Sequence, residues 1–147
     1  MNELELLFTG KVRPALYRLK SRASQESLAQ RIEAHGWRCF VLDGDTISDK
    51  ASFLNACAAS MHFPDYFGKN WDAFEECVND LAWLPAPGYV LLYDNVENFA
   101  RHAPNDWSVA RDILTEAVKR WQNEQTPFVV LLRKTGQTVR GVPHLSK

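Results

Sequence analysis

The stretch Phe63-Pro64-Asp65-Tyr66-Phe67-Gly68-Lys69-Asn70-Trp71-Asp72-Ala73-Phe74-Glu75-Glu76-Cys77-Val78-Asn79-Asp80-Leu81 joins a punctuated loop to a two-sided helix. Pro64 and Gly68 break regular structure, and helical spacing begins at about Asn70. At ~100° per residue, Phe74, Cys77, Val78 and Leu81 fall within roughly 120° of Trp71 and form one apolar arc. Glu75, Asn79, Asp72, Glu76 and Asp80 fill the opposite arc. With Asp65 in the loop, five acids face a single base, Lys69. Asp72 and Glu76 are four residues apart and repel by a few tenths of a kcal/mol, and Asp80 opposes the helix dipole. A surface shaped by helix stability alone would intersperse Lys or Arg. Like charges clustered beside Tyr66, Phe67 and Trp71 suit contact with a basic partner, with an ordinary solvated face as the alternative.

Around this segment the chain alternates buried strands and helices. Tyr89 to Tyr93 (YVLLY) and Phe128 to Leu132 (FVVLL) are continuous apolar runs, as in strands buried on both faces. Trp37 to Leu42 (WRCFVL) reads as a third strand, closed by the turn Asp43-Gly44-Asp45. Between them, Ser48 caps a helix carrying Phe53, Leu54, Cys57, Ala58 and Met61 at helical spacing. Asp106 caps another running to about Asn123, with Val109, Ile113, Leu114, Ala117, Val118 and Trp121 inward. Asn95 to Pro104 reads as irregular. Strands separated by helices imply crossover connections and an α/β fold with a small parallel sheet, its strand order open. Upstream, Ser24 caps a helix to about His35 that stops at Gly36, while Leu4 to Phe8 and Leu16 to Leu19 have the pattern of edge strands. The chain thus divides into an N-terminal extension (1–36) packed on a domain (37–133), followed by a basic tail (134–147) expected to be mobile.

Composition narrows the function classes. With 147 residues and a net charge of −1, the chain suits one core and lacks the basic excess of a phosphate-backbone binder. No apolar run reaches the ~18 residues of a membrane span, and the N-terminus lacks the basic and apolar regions of a signal peptide. Cys39, Cys57 and Cys77 are far apart and form no CxxC, which favours buried free thiols and a reducing compartment, the cytoplasm. His35, His62, His102 and His144 have no metal-ligand spacing, and no phosphate loop or nucleophile elbow occurs, so neither a metal nor a cofactor is expected.

The run from Phe63 to Phe74, an apolar residue followed by Pro, acid, Tyr, aromatic, Gly, x, Asn, apolar residue, Asp and Ala, resembles the barstar family of intracellular ribonuclease inhibitors. The resemblance extends from about Trp37 to Arg133. It implies an α/β fold with a three-stranded parallel sheet, a cis peptide at Leu84-Pro85, and an acidic loop and helix that enter a ribonuclease active site. Carried over by position, Tyr66 falls on the family's aromatic contact, and Asn70 and Asp72 on its loop and first acid. Glu76 lies where the family's central acid is an Asp, Glu75 replaces an aromatic, Asn79 replaces a Thr, and Glu116 matches a peripheral acid. The partner-binding set is therefore Tyr66, Lys69, Asn70, Trp71, Asp72, Glu75, Glu76, Asn79, Asp80 and Glu116, with no catalytic residue. The implied partner is a secreted-type ribonuclease or ribonuclease toxin with a basic active site, without direct nucleic-acid or membrane contact. Two competing readings are an adaptor binding another basic protein through the same fold, with Trp107 or Trp121 as a further surface, and an enzyme using the paired carboxylates.

Overall fold

A computed structural model describes residues 2–65 and 67–146. Two strands set its plan: β3 (Tyr89–Asp94) and β4 (Phe128–Arg133) are buried throughout apart from the half-buried Asp94. Side chains alternate across a strand, so each strand needs two apolar layers. Tyr89, Leu91, Tyr93, Phe128, Val130 and Leu132 point into one core, whereas Val90, Leu92, Val129 and Leu131 point into another.

The first core is covered by α3 (Lys50–Ser60), α4 (Trp71–Asp80), α5 (Val96–His102) and α6 (Pro104–Asn123), and the second by α1 (Glu3–Phe8) and α2 (Gln25–Ala34). The sheet between them is wholly parallel, in the order β1-β4-β3-β2, where β1 is Leu16–Arg18 and β2 is Arg38–Asp43. It therefore has four strands rather than the expected three. The extra one, β1, comes from the N-terminal segment and pairs with β4 in register Leu16–Val130 and Arg18–Leu132.

Several local expectations are corrected. Leu4 to Phe8 lies in the helix α1, capped by Asn2, because Leu4 and Leu7 are needed on one side against the sheet. The cap of α3 is Asp49, not Ser48. Its side chain accepts from the Ser52 amide while the Ser52 hydroxyl accepts from the Asp49 amide, a reciprocal capping box. Val96 to His102 is helical: seven residues are too few for a clear periodic signal, yet Val96, Phe99 and Ala100 are buried. The helix α6 starts at Pro104, where a missing N–H leaves no donor unsatisfied, and Asp106 lies in its first turn. Val109, expected inward, is 38% exposed. Leu84-Pro85 is trans, since no cis peptide occurs among the described residues.

The C-terminal segment is docked rather than mobile. Val139, Val142 and Leu145 are buried, the first two in one core and the third in the other, so the chain wraps the β1 edge of the sheet. The Arg18 amide donates to Pro143 O at 2.8 Å and the Leu145 amide to Arg18 O at 2.9 Å, covering an otherwise open strand edge. Beside it, the buried Arg133 guanidinium forms a bidentate pair with Asp94 (2.7 and 2.6 Å) and donates to Ser21 O and Ala23 O at 3.3 and 2.6 Å. Removing residues 138–147 should lower stability by about 3–5 kcal/mol through exposure of three apolar side chains and the surfaces they cover. Urea denaturation measures this, and an unchanged midpoint would contradict docking.

Candidate acidic interface on α4

Sequence chemistry sets α4 at both ends. The Asn70 side chain accepts from the Ala73 amide at 2.8 Å, capping the N-terminus. At the other end Leu81, buried and in the left-handed region (φ 50°), turns the chain sharply away. Phe74, Cys77 and Val78 fasten the apolar side to the core. Two tryptophan N–H groups tie the surroundings: Trp121 of α6 donates to Val78 O and Trp83 donates to Met61 O, each at 2.9 Å. Helix α4 is thus pinned to α6 by both packing and a directed hydrogen bond, a rigid base for exposed charges.

The outward side carries those charges. Asp72, Glu75, Glu76 and Asp80 are exposed and, with Asn79, line one open depression of about 450 Å³. Among the described residues none of the four carboxylates has an ion-pair partner. Asn79 is half-buried, and its Oδ1 is buried without a hydrogen-bond partner. An unmet buried acceptor of this kind costs roughly 1–3 kcal/mol of stability.

Structure separates the ten residues named from sequence. Asp72, Glu75, Glu76, Asn79 and Asp80 come together. Lys69 and Asn70 are exposed at the loop end, with Lys69 in the left-handed region (φ 53°) and Asn70 serving as the cap. Trp71 is half-buried: its ring packs near Phe53 and Phe74, with Lys50 Nζ 5.7 Å from its centre, so it buttresses the face more than it projects from it. Glu116 lies on α6 outside the depression and contacts Lys119 at 3.4 Å, a highly exposed pair of little energetic weight. Tyr66 lies outside the described residues. Two bases escaped the sequence reading, Lys50 and Arg120, the latter lining the depression beside the acids. Only α4–α6 packing brings Arg120 there, and no local spacing signals it.

The field of the acids reaches the core. Burial raises the Cys77 thiol pKa, and the nearby Glu76 and Asp80 charges raise it further. Burial likewise raises Cys39, to about 12, and Cys57. The three free thiols are therefore protonated at neutral pH, as buried structural cysteines are, although Cys39 is only partly covered.

Comparison with known proteins places the chain. The family model described as Barstar (barnase inhibitor) matches residues 37–133. No curated protein matches. Among solved structures, the ORC2 protein of Aeropyrum pernix in its ADP form is similar in fold, with a TM-score of 0.58 at 10% identity over 89% of this chain and 38% of that one. Cdc6p from Pyrobaculum aerophilum gives 0.57 at 16% identity over 98% of this chain and 43% of that one. The chain spans only about two fifths of those proteins, and the likeness is one of fold alone.

Two measurements follow from this geometry. Asn70→Ala should destabilise the protein by about 1 kcal/mol through loss of the α4 cap, measured by denaturant titration. Glu76→Gln should increase alkylation of Cys77 at mildly alkaline pH, on the order of twofold, by lowering its thiol pKa. Site-resolved mass spectrometry across a pH series reads the second effect, and a midpoint of the Cys77 rate profile unmoved by the substitution would show that the carboxylate field does not reach the thiol.

Proposed function

The chain belongs to the barstar family, and on that premise we propose that it inhibits a ribonuclease by seating the acidic face of α4 in the enzyme's basic active site. The observation that carries this reading is the set of four exposed, unpaired carboxylates on one rigid helix, Asp72, Glu75, Glu76 and Asp80. An active site that binds RNA phosphate presents Arg, Lys or His donors. A carboxylate fixed on a protein surface substitutes for the phosphate and accepts charge-assisted hydrogen bonds from them. Because α4 is already held in place, little ordering entropy opposes association.

In this reading Glu76 is the central contact, flanked by Asp72 and Asp80, with the half-buried Asn79 beside them. Lys69, Asn70 and Tyr66 form the loop side of the contact, with Trp71 bracing it. Glu75 and Glu116 extend the negative field toward the periphery. Arg120 shields part of that field in the free protein and selects a partner that leaves it a carboxylate or carbonyl to meet. Glu at position 76 reaches one methylene farther than Asp, so the matching ribonuclease has its basic groups set correspondingly deeper. The working partner is a secreted-type ribonuclease or ribonuclease toxin. No helix among the described residues is long and apolar enough to cross a membrane.

The direct test is inhibition of small secreted ribonucleases by equimolar protein. Glu76→Lys should keep the melting curve of the parent and weaken binding by roughly 100-fold or more, as reversal of a central desolvated charge does. Unchanged affinity would refute phosphate mimicry. The association rate should also fall by an order of magnitude or more as salt is raised from low to physiological strength. A salt-independent rate, or capture of a basic protein without inhibition, would instead favour an adaptor role.

A further inference from the structure

A second charged site, opposite in sign, lies where the carboxyl ends of β1, β4 and β3 meet the start of α2. In an open parallel sheet, ligands occupy the crevice outside the strand carboxyl ends, at a point where neighbouring strands send their connections to opposite faces. Here β1 leads into α2 on one face, while the chain after β4 carries Val139 and Val142 into the core on the other. Between those exits is an open crevice of about 690 Å³. Apart from Asp94, Leu132 and Arg133, all of its lining residues lie outside the segment that matches the family.

Four of its side chains are cations without counter-charges. Arg18, Lys20, Arg22 and Lys134 line the crevice, and among the described residues none of them has an ion-pair partner. The one carboxylate in the lining, Asp94, is already neutralised by Arg133. That pair also organises the site, because Arg133 holds the carbonyls of Ser21 and Ala23 and so shapes the loop bearing Lys20 and Arg22. Arg18 is oriented by Thr135 Oγ1 at 3.4 Å and by Val139 O, which accept without cancelling its charge, and its Nε is buried and unpartnered. Lys134 is held in the left-handed region (φ 53°), a costly conformation for a side-chain-bearing residue. Ser24 and Gln25, at the amino end of the ten-residue α2, complete the lining and add the positive end of a helix dipole.

We propose that this crevice binds the di- or triphosphate group of a small molecule. Four cations gathered around one crevice without ion-pair partners favour a multiply charged anion over a singly charged one, and the exposed Arg22 guanidinium presents a fork that matches phosphoryl oxygens in geometry. Among the described residues no Phe, Tyr or Trp lines the crevice and the exposed His144 is its single aromatic ring, so the cations and hence the phosphate chain carry most of the recognition. The proposal is independent of ribonuclease inhibition, because α4 contributes nothing to this lining.

Isothermal titration of the whole protein with inorganic tripolyphosphate, and separately with ATP, tests it. One saturable site per chain is expected. Equal affinity for the two ligands identifies the phosphate chain alone as the determinant, and tighter ATP binding identifies a nucleotide as the source. Arg22→Glu and Lys20→Glu, both at exposed positions, should each weaken binding on the order of tenfold. Arg140→Glu makes the same change in net charge at an exposed position outside the crevice and should have less than about a twofold effect. Thermal melts of the unliganded variants confirm the fold. Absence of saturable binding in the parent protein, or equal weakening by Arg140→Glu, would overturn the proposal. So would preferential binding of single-stranded RNA that the same crevice variants abolish.

Discussion

Burial of β3 and β4 on both faces is the constraint from which the remaining architecture follows. A strand with Val90 and Leu92 on one side and Leu91 and Tyr93 on the other cannot leave either side in water. Helices α3 to α6 cover only one face. Leu4, Leu7, Tyr17, Leu19, Leu28 and Ile32 from the first 36 residues, with Leu145 from the C-terminal segment, cover the other. The terminal segments therefore complete the core beyond the part of the chain that matches the family, and they make β1 a fourth strand. The Arg133–Asp94 pair lies where these additions meet the sheet, joining the end of β4 to the end of β3 and to the loop entering α2.

This scaffold displays two charged surfaces that a near-zero net charge conceals. Acids are collected on α4, which is locked to α6 by apolar packing and by the Trp121–Val78 hydrogen bond. Bases are collected at the strand carboxyl ends by β1, its following loop and the residues after β4. In both places like charges sit together without partners, an arrangement that lowers stability slightly and gives the protein directional electrostatics.

Legibility in the sequence followed the range of the interactions involved. The strands β2, β3 and β4 and the helices α2, α3, α4 and α6 could be read because their apolar residues recur over ten residues or form continuous runs. The acidic arc could be read for the same reason, since helical rotation alone brings Asp72, Glu75, Glu76, Asn79 and Asp80 to one side. Short elements were harder. Leu4 to Phe8 has an apolar content compatible with either strand or helix, and Val96 to His102 is too brief to show a period. Basic residues after Lys134 suggested a free tail because the buried Val139, Val142 and Leu145 are isolated in the sequence, and each acquires a neighbour only when the chain folds back on β1.

By itself, the sequence determined the α/β class, the acid-bearing helix with its Asn70 cap, and the family relationship carried by Phe63 to Phe74. These depend on contacts between residues a few positions apart, whose geometry follows from backbone periodicity. Tertiary structure alone decided the place of the Leu16–Arg18 strand beside β4, the docking of the C-terminal segment, the arrival of Arg120 among the acids, and the gathering of Arg18, Lys20, Arg22 and Lys134 around one crevice. Each of these joins residues distant in the chain, and what brings them together is the need to bury both faces of one sheet.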